Sequence, residues 1–226
     1  MYKFLIFDAD HTLFDFEKAE KTAIEKVMID FGITKNPSLL LEYKEINHEL
    51  WKKYEKNKIT QEEIKFERFR IFFNKIGCNA DYKQGAENYL IYLSQGCDLL
   101  DGAMDLIINL KKDFKLGLLT NGISSVQHPR LKNSVLNGMF DAIVISGDVG
   151  ISKPDPKIFR ILTDKVNFHD KKQMIMIGDS LTSDMKGGIN FGIDTCWYNP
   201  KQKSNLTPII PSYEISELEE IYKIIE

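Results

Sequence analysis

Residues Tyr2 to Asp15 read YKFLIFDADHTLFD, and the rest of the chain is best understood from this stretch outward. Phe4, Leu5, Ile6 and Phe7 form an unbroken apolar run. A strand with one wet face would alternate, so the run predicts a strand buried on both faces of a parallel sheet. It stops at Asp8, and Asp10 follows two residues later, which puts both carboxylates at the strand's carboxyl end, where open α/β sheets bind their ligands. Two acids so close repel unless a cation or a shared proton relieves them. A hard divalent metal is the expected reason for the pair.

At 226 residues and 43% hydrophobic content, the chain is long enough for one large domain or for a domain with a smaller companion. Its 30 basic and 33 acidic side chains are scattered, for a net charge of -3, and without a basic stripe no nucleic acid polymer is expected as partner. No apolar run approaches the roughly 20 residues of a bilayer span, and Met1 leads straight into the first strand, which leaves no room for a signal peptide. Cys78, Cys97 and Cys196 are odd in number and lack C-x-x-C spacing, so neither a disulfide framework nor a cysteine metal site is expected. The expectation is a cytoplasmic protein, monomer or homodimer, with no membrane contact.

After Asp15 the period changes. Ala19, Ala23, Val27 and Phe31 make one helical face, ended by Gly32; Leu40, Tyr43, Ile46, Leu50 and Tyr54 make a second. Thr60 and Glu63 have capping-box spacing before Ile64, Phe66, Phe69, Ile71 and Phe73, with Gly77 as the stop, and a further helix is predicted from about Lys83 to Leu93. No strand pattern interrupts this region. It reads as a helical subdomain, residues 16–96, inserted into a core made of residues 1–15 and 97–226. The aromatic stripe of Trp51, Tyr54, Phe66, Phe69, Phe72 and Phe73 is read as helix core, and His48, His128 and His169 as surface or structural residues without ligand spacing.

From Leu99 onward strands and helices alternate, the signature of βαβ units. Strands are predicted at Leu116–Leu119, Ala142–Ile145, Met174–Ile177 and Thr195–Tyr198, with a short one at Ser212–Ile215. The polar groups then fall at successive strand ends or in the loops after them: Asp8 and Asp10, Thr120 and Asn121, Lys153, and Asp179 with Asp184. A parallel sheet gathers such ends at one edge. Acids, a hydroxyl and a lysine meeting there suit phosphoryl transfer: Mg²⁺ on Asp8, Asp179 and a backbone carbonyl, with Lys153 and Thr120 on the phosphate oxygens. Taken singly, an Asp-x-Asp is more often a solvated turn, Lys153 a surface lysine and Thr120 a helix N-cap; their joint placement favours the site.

These residues carry a resemblance. Phe-Asp-Ala-Asp-His-Thr-Leu at 7 to 13, Leu-Thr-Asn-Gly at 119 to 122, Lys-Pro-Asp-Pro at 153 to 156 and Ile-Gly-Asp-Ser at 177 to 180 with Asp184 resemble, in order, the four motifs of the haloacid dehalogenase superfamily. The resemblance implies a Rossmann-like parallel sheet with the first strand central and a helical cap of the first type. It further implies Asp8 as nucleophile, Asp10 as general acid and base, and Mg²⁺ on Asp8, the Asp10 carbonyl and Asp179, with Asp184 as an outer or alternate ligand. Thr120, Asn121 and Lys153 would hold the substrate phosphate. His11 stands where that superfamily most often has glycine. Gly-Gly-Ile-Asn-Phe-Gly-Ile-Asp-Thr-Cys-Trp-Tyr-Asn at 187 to 199, with Gln127, Arg130 and Leu131, is similar to the superfamily's bacterial pyrimidine 5'-nucleotidases. The implied substrate is a small phosphate ester, a nucleoside monophosphate. The alternatives are a sugar-phosphate phosphatase or phosphomutase of the same superfamily, or a phosphorylatable receiver-like module, which has no reason to carry an inserted helical lid. Dehalogenation has no use for Asp10 as proton donor or for the acids at 179 and 184.

Overall fold

A computed structural model describes residues 1–56 and 58–225. Strand β1 (Phe4–Phe7) is followed by four helices, α1 (Phe16–Asp30), α2 (Pro37–Glu55), α3 (Gln61–Lys75) and α4 (Tyr82–Leu93). Then come α5 (Ala103–Leu110), β2 (Lys115–Thr120), α6 (Ser124–Asn133), β3 (Ala142–Ile145), α7 (Ser146–Val149) and α8 (Pro156–Val166). The chain continues with β4 (Met174–Gly178), a π-helical turn at Leu181–Met185, α9 (Lys186–Phe191), β5 (Asp194–Tyr198), β6 (Tyr213–Ile215) and α10 (Tyr222–Ile225). The six strands form one parallel sheet in the order β3-β2-β1-β4-β5-β6.

Two compact units make up the chain. One comprises Met1–Asp15, Asp98–Ser124 and Leu131–Glu226; the other comprises Phe16–Cys97 and Ser125–Arg130. In the first unit β1 lies between β2 and β4, with Phe7 level with Leu118 on one side and Ile177 on the other. Its four residues are all buried, and they alternate between two cores. Leu5 and Phe7 join Leu116, Leu118, Ile175 and Ile177 against Leu106, Ile107 and Leu110 of α5 and the C-terminal Leu218 and Ile221. Phe4 and Ile6 join Val144, Met174 and Met176 against Ile158, Phe159 and Leu162 of α8 and Phe191 of α9. This double burial is why the strand carries no polar residue until Asp8.

In the second unit α1 packs on α4, and α3 packs on α2 and α4. Thr60 and Glu63 form the expected capping box, the Thr60 hydroxyl accepting from the Glu63 N–H and the Glu63 carboxylate from the Thr60 N–H. Gly32 and Gly77 end their helices at φ +65° and +68°, where a side chain would be strained. Phe69, Phe72 and Phe73 are buried together with Tyr43 and Tyr89, while Trp51, Tyr54 and Phe66 are only half-buried, so the aromatic stripe divides between core and rim. Within this apolar setting lies a polar group that periodicity did not announce. The Glu20 carboxylate accepts from the Asn47 amide at 2.8 Å, the Asn47 oxygen accepts from Arg68 at 3.3 Å, and the Arg68 guanidinium lies 4.4 Å from the centre of the Tyr89 ring. Burial pushes the Glu20 carboxyl up, partly offset by Lys44, Asn47 and Arg68. In the same unit, Arg130 of α6 donates to the Gly96 carbonyl at 2.8 Å and to Gln127 at 3.2 Å.

Candidate active site

The first unit contains every residue singled out at the strand ends. The Asp8 N–H continues the β1–β4 ladder by donating to the Ile177 carbonyl at 2.9 Å, so the nucleophile candidate is held by the last rung of the sheet. Asp10 is half-buried just beyond it. His11 has φ +64°, in the left-handed region that favours glycine, and its N–H donates to the Phe14 carbonyl at 3.1 Å.

Lys153 organises the centre. Its ammonium lies 2.5 Å from Asp8 Oδ1, 2.7 Å from Asp184 Oδ1 and 2.6 Å from the Leu119 carbonyl at the end of β2. A lysine has three donors, and here all three are used. The ammonium is 1% exposed, so it is no surface lysine. Asn121 fixes its backbone from both sides: the amide nitrogen donates to the Lys153 carbonyl at 2.9 Å and the amide oxygen accepts from the Lys153 N–H at 2.8 Å. These two bonds tie Asn121, expected from the sequence to contact the substrate phosphate, to the lysine loop. Thr120, also buried, accepts from the Gly122 N–H at 3.1 Å, and α6 is capped at Ile123 without a side-chain bond, so Thr120 is not the helix N-cap.

Asp8, Asp179 and Asp184 each offer an oxygen within 4.8 Å of the others. Asp184 owes its place to Gly178, since a Cβ there would overlap the Asp184 carboxylate, and its Oδ2 accepts from the Ser180 N–H at 3.0 Å. Electrostatics strain the group. Burial raises the Asp8 carboxyl to about 7 despite Lys153, with Asp184 and Asp10 adding to the rise. Burial, then repulsion by Asp184 and Asp8, holds Asp179 well above the ordinary carboxylate range. Burial alone would lower Lys153, but Asp184 and Asp8 outweigh it and keep the ammonium charged. Ionised together, three carboxylates would outweigh one lysine, and a close set of oxygen donors whose ionisation needs a compensating cation is what Mg²⁺ favours.

Residues 5–198 match the family model of the haloacid dehalogenase-like hydrolases. The chain belongs to that family. It is 40% identical to the HAD-hydrolase YfnB of Bacillus subtilis over 99% of this chain and 95% of that one. A crystal structure of YfnB bound to magnesium superposes with a TM-score of 0.94, covering 100% of this chain and 99% of YfnB. The pyrimidine 5'-nucleotidase PynA of Streptococcus pneumoniae is 38% identical, over 97% of this chain and 93% of PynA. The pyrimidine 5'-nucleotidase YjjG of Escherichia coli is 31% identical, over 99% of this chain and 98% of YjjG. The fold expected of the family, a parallel Rossmann-like sheet with β1 central, is the fold observed. Among the described residues no helix is long and apolar enough to cross a membrane.

Sequence reasoning missed two features of the site. The Trp197 indole donates to the Asp179 carbonyl at 2.8 Å, and Lys153, beside Asp8 as its role requires, also pairs with Asp184. Neither leaves a local signal, because both join residues far apart in the chain.

Proposed function

We propose that this hydrolase is a Mg²⁺-dependent phosphatase working through an aspartyl-phosphate on Asp8, with nucleoside 5'-monophosphates, pyrimidine ones foremost, as substrates. The observation that carries the reading is the buried Lys153 ammonium held against both Asp8 and Asp184, with Asp179 beside them. An Asp8 oxygen attacks phosphorus as the ester P–O bond breaks, and Asp10 gives its proton to the departing oxygen. Asp10 then takes a proton from the water that attacks the acyl phosphate, which releases inorganic phosphate and restores Asp8. Lys153 balances the charge that builds on the phosphoryl oxygens, with the Thr120 hydroxyl beside it. Asn121 contributes by holding the Lys153 backbone. Asp8, Asp179 and the Asp10 carbonyl would hold Mg²⁺, with Asp184 outside them; the ion supplies charge neutralisation between the phosphate and the acids. We assign the helices of residues 16–96 as a cap that selects the substrate, and the names of PynA and YjjG support a nucleotide as that substrate.

The test is a panel of UMP, dUMP, dTMP, purine monophosphates and sugar phosphates, assayed with and without Mg²⁺. Pyrimidine monophosphates are expected to be hydrolysed fastest and only with the metal. Asp8→Asn is expected to retain the fold and lose at least about a thousandfold in turnover, ~4 kcal/mol. Retained activity in that variant removes the nucleophile assignment. A preference for a sugar phosphate replaces the substrate class, and stable labelling by acetyl phosphate without ester hydrolysis favours the receiver-like reading.

A further inference from the structure

We propose that Trp197 is a positioning residue for the acid cluster, its indole N–H fixing the Asp179–Ser180 peptide and thereby the directions of the Asp179 and Asp184 carboxylates. The proposal rests on the metal reading given under the proposed function.

Trp197 is 4% exposed and sits on β5 level with Gly178 of β4, one residue before Asp179. A buried indole N–H needs an acceptor, and this one takes the carbonyl of a candidate metal ligand, 2.8 Å away. The same peptide unit is held at its other end: the Ser180 N–H donates to Asp184 Oδ2 at 3.0 Å. The plane of one peptide is therefore pinned between an indole and a carboxylate. Rotation of that plane would change ψ of Asp179, and with it the placement of the Asp179 carboxylate relative to the peptide, and would draw the N–H away from Asp184, whose other oxygen faces Lys153 at 2.7 Å. The Trp197 hydrogen bond opposes it, and it does so before any ion arrives, so that the ligands are preorganised.

The experiment uses the full chain. Trp197 is replaced by β-(3-benzothienyl)alanine, which keeps the two-ring shape but has sulfur in place of N–H, and separately by Phe. Leu110→Ala, a buried change in α5 away from the site, serves as the destabilised control. Binding of MgCl2 is measured by calorimetry without substrate, together with thermal unfolding in EDTA and with kcat and KM at saturating Mg²⁺. Expected is a rise of about tenfold in the Mg²⁺ dissociation constant for both Trp197 variants. The Leu110→Ala constant should stay at the wild-type value, and KM for the ester within about twofold at saturating metal. A benzothienyl variant that binds Mg²⁺ as wild type does overturns the proposal and leaves Trp197 a packing residue. Equal weakening in Leu110→Ala overturns it as well. Wild-type protein that binds no Mg²⁺ removes the metal reading itself, and this inference falls with it.

Discussion

Asp179 shows the conflict between stability and chemistry at a single residue. Its carboxyl is raised in the folded protein, first by burial and then by Asp184 and Asp8. The folded state therefore holds the proton more tightly than the unfolded chain, and stability falls as pH rises from the ordinary carboxylate range through the raised value. An asparagine cannot ionise and is spared this loss. Asp179→Asn in EDTA is accordingly expected to melt above wild type at pH 8, by about 2–4 °C for each kcal/mol recovered, with the gap closing toward pH 4. The same variant should lose Mg²⁺-dependent activity. Identical melting curves at pH 8 would show that the repulsion is relaxed some other way. Asn121 makes a different point: its residue type and place in the motif were legible, yet the bonds its amide makes turned on where the Lys153 backbone passes, 32 residues later.

Among the elements, the strands were legible nearly to the residue, and β1 and β3 have the bounds that their apolar runs predicted. The segment after β4 was less so. The alternation of strands and helices calls for one helix between β4 and β5, but the chain makes a π-helical turn first, the Ser180 carbonyl accepting from both the Asp184 and the Met185 N–H at 3.0 and 3.1 Å. The wider turn accompanies the packing of the Asp184 carboxylate against Gly178, which no period of apolar residues encodes. Gly178→Ala is expected to displace Asp184, lowering stability by about 1–3 kcal/mol and weakening Mg²⁺ binding, as read by thermal melting and calorimetry. In α3 the consequence is purely structural. Thr60→Ala removes the capping box and should cost about 1 kcal/mol without changing kcat at saturating substrate and metal; a fall in kcat would give that helix end a part in catalysis.

For the whole molecule, ligation is expected to appear as stability. Mg²⁺ binding only to the assembled acids stabilises the folded chain by about 2.7 kcal/mol at a hundredfold excess over its dissociation constant. The thermal midpoint should rise by several degrees on adding MgCl2 and return on adding EDTA. Amide exchange at Asp8, Ser180 and Asp184 should slow while that of Glu63, in the other unit, does not. Slowing at Glu63 as well would mean that the metal is felt through both units. What the sequence alone determined is the parallel sheet, the run of helices after Asp15 and the residue types at the strand ends. Those follow from burial on one face or two, and from turn chemistry, which act over a few neighbouring residues. Tertiary structure decided which groups meet: Lys153 with Asp8 across 145 positions, Trp197 with Asp179, and Glu20 with Asn47 and Arg68. Hydrogen bonds and ion pairs act over about 3 Å, so their partners are set by strand order and register rather than by anything written beside them in the chain.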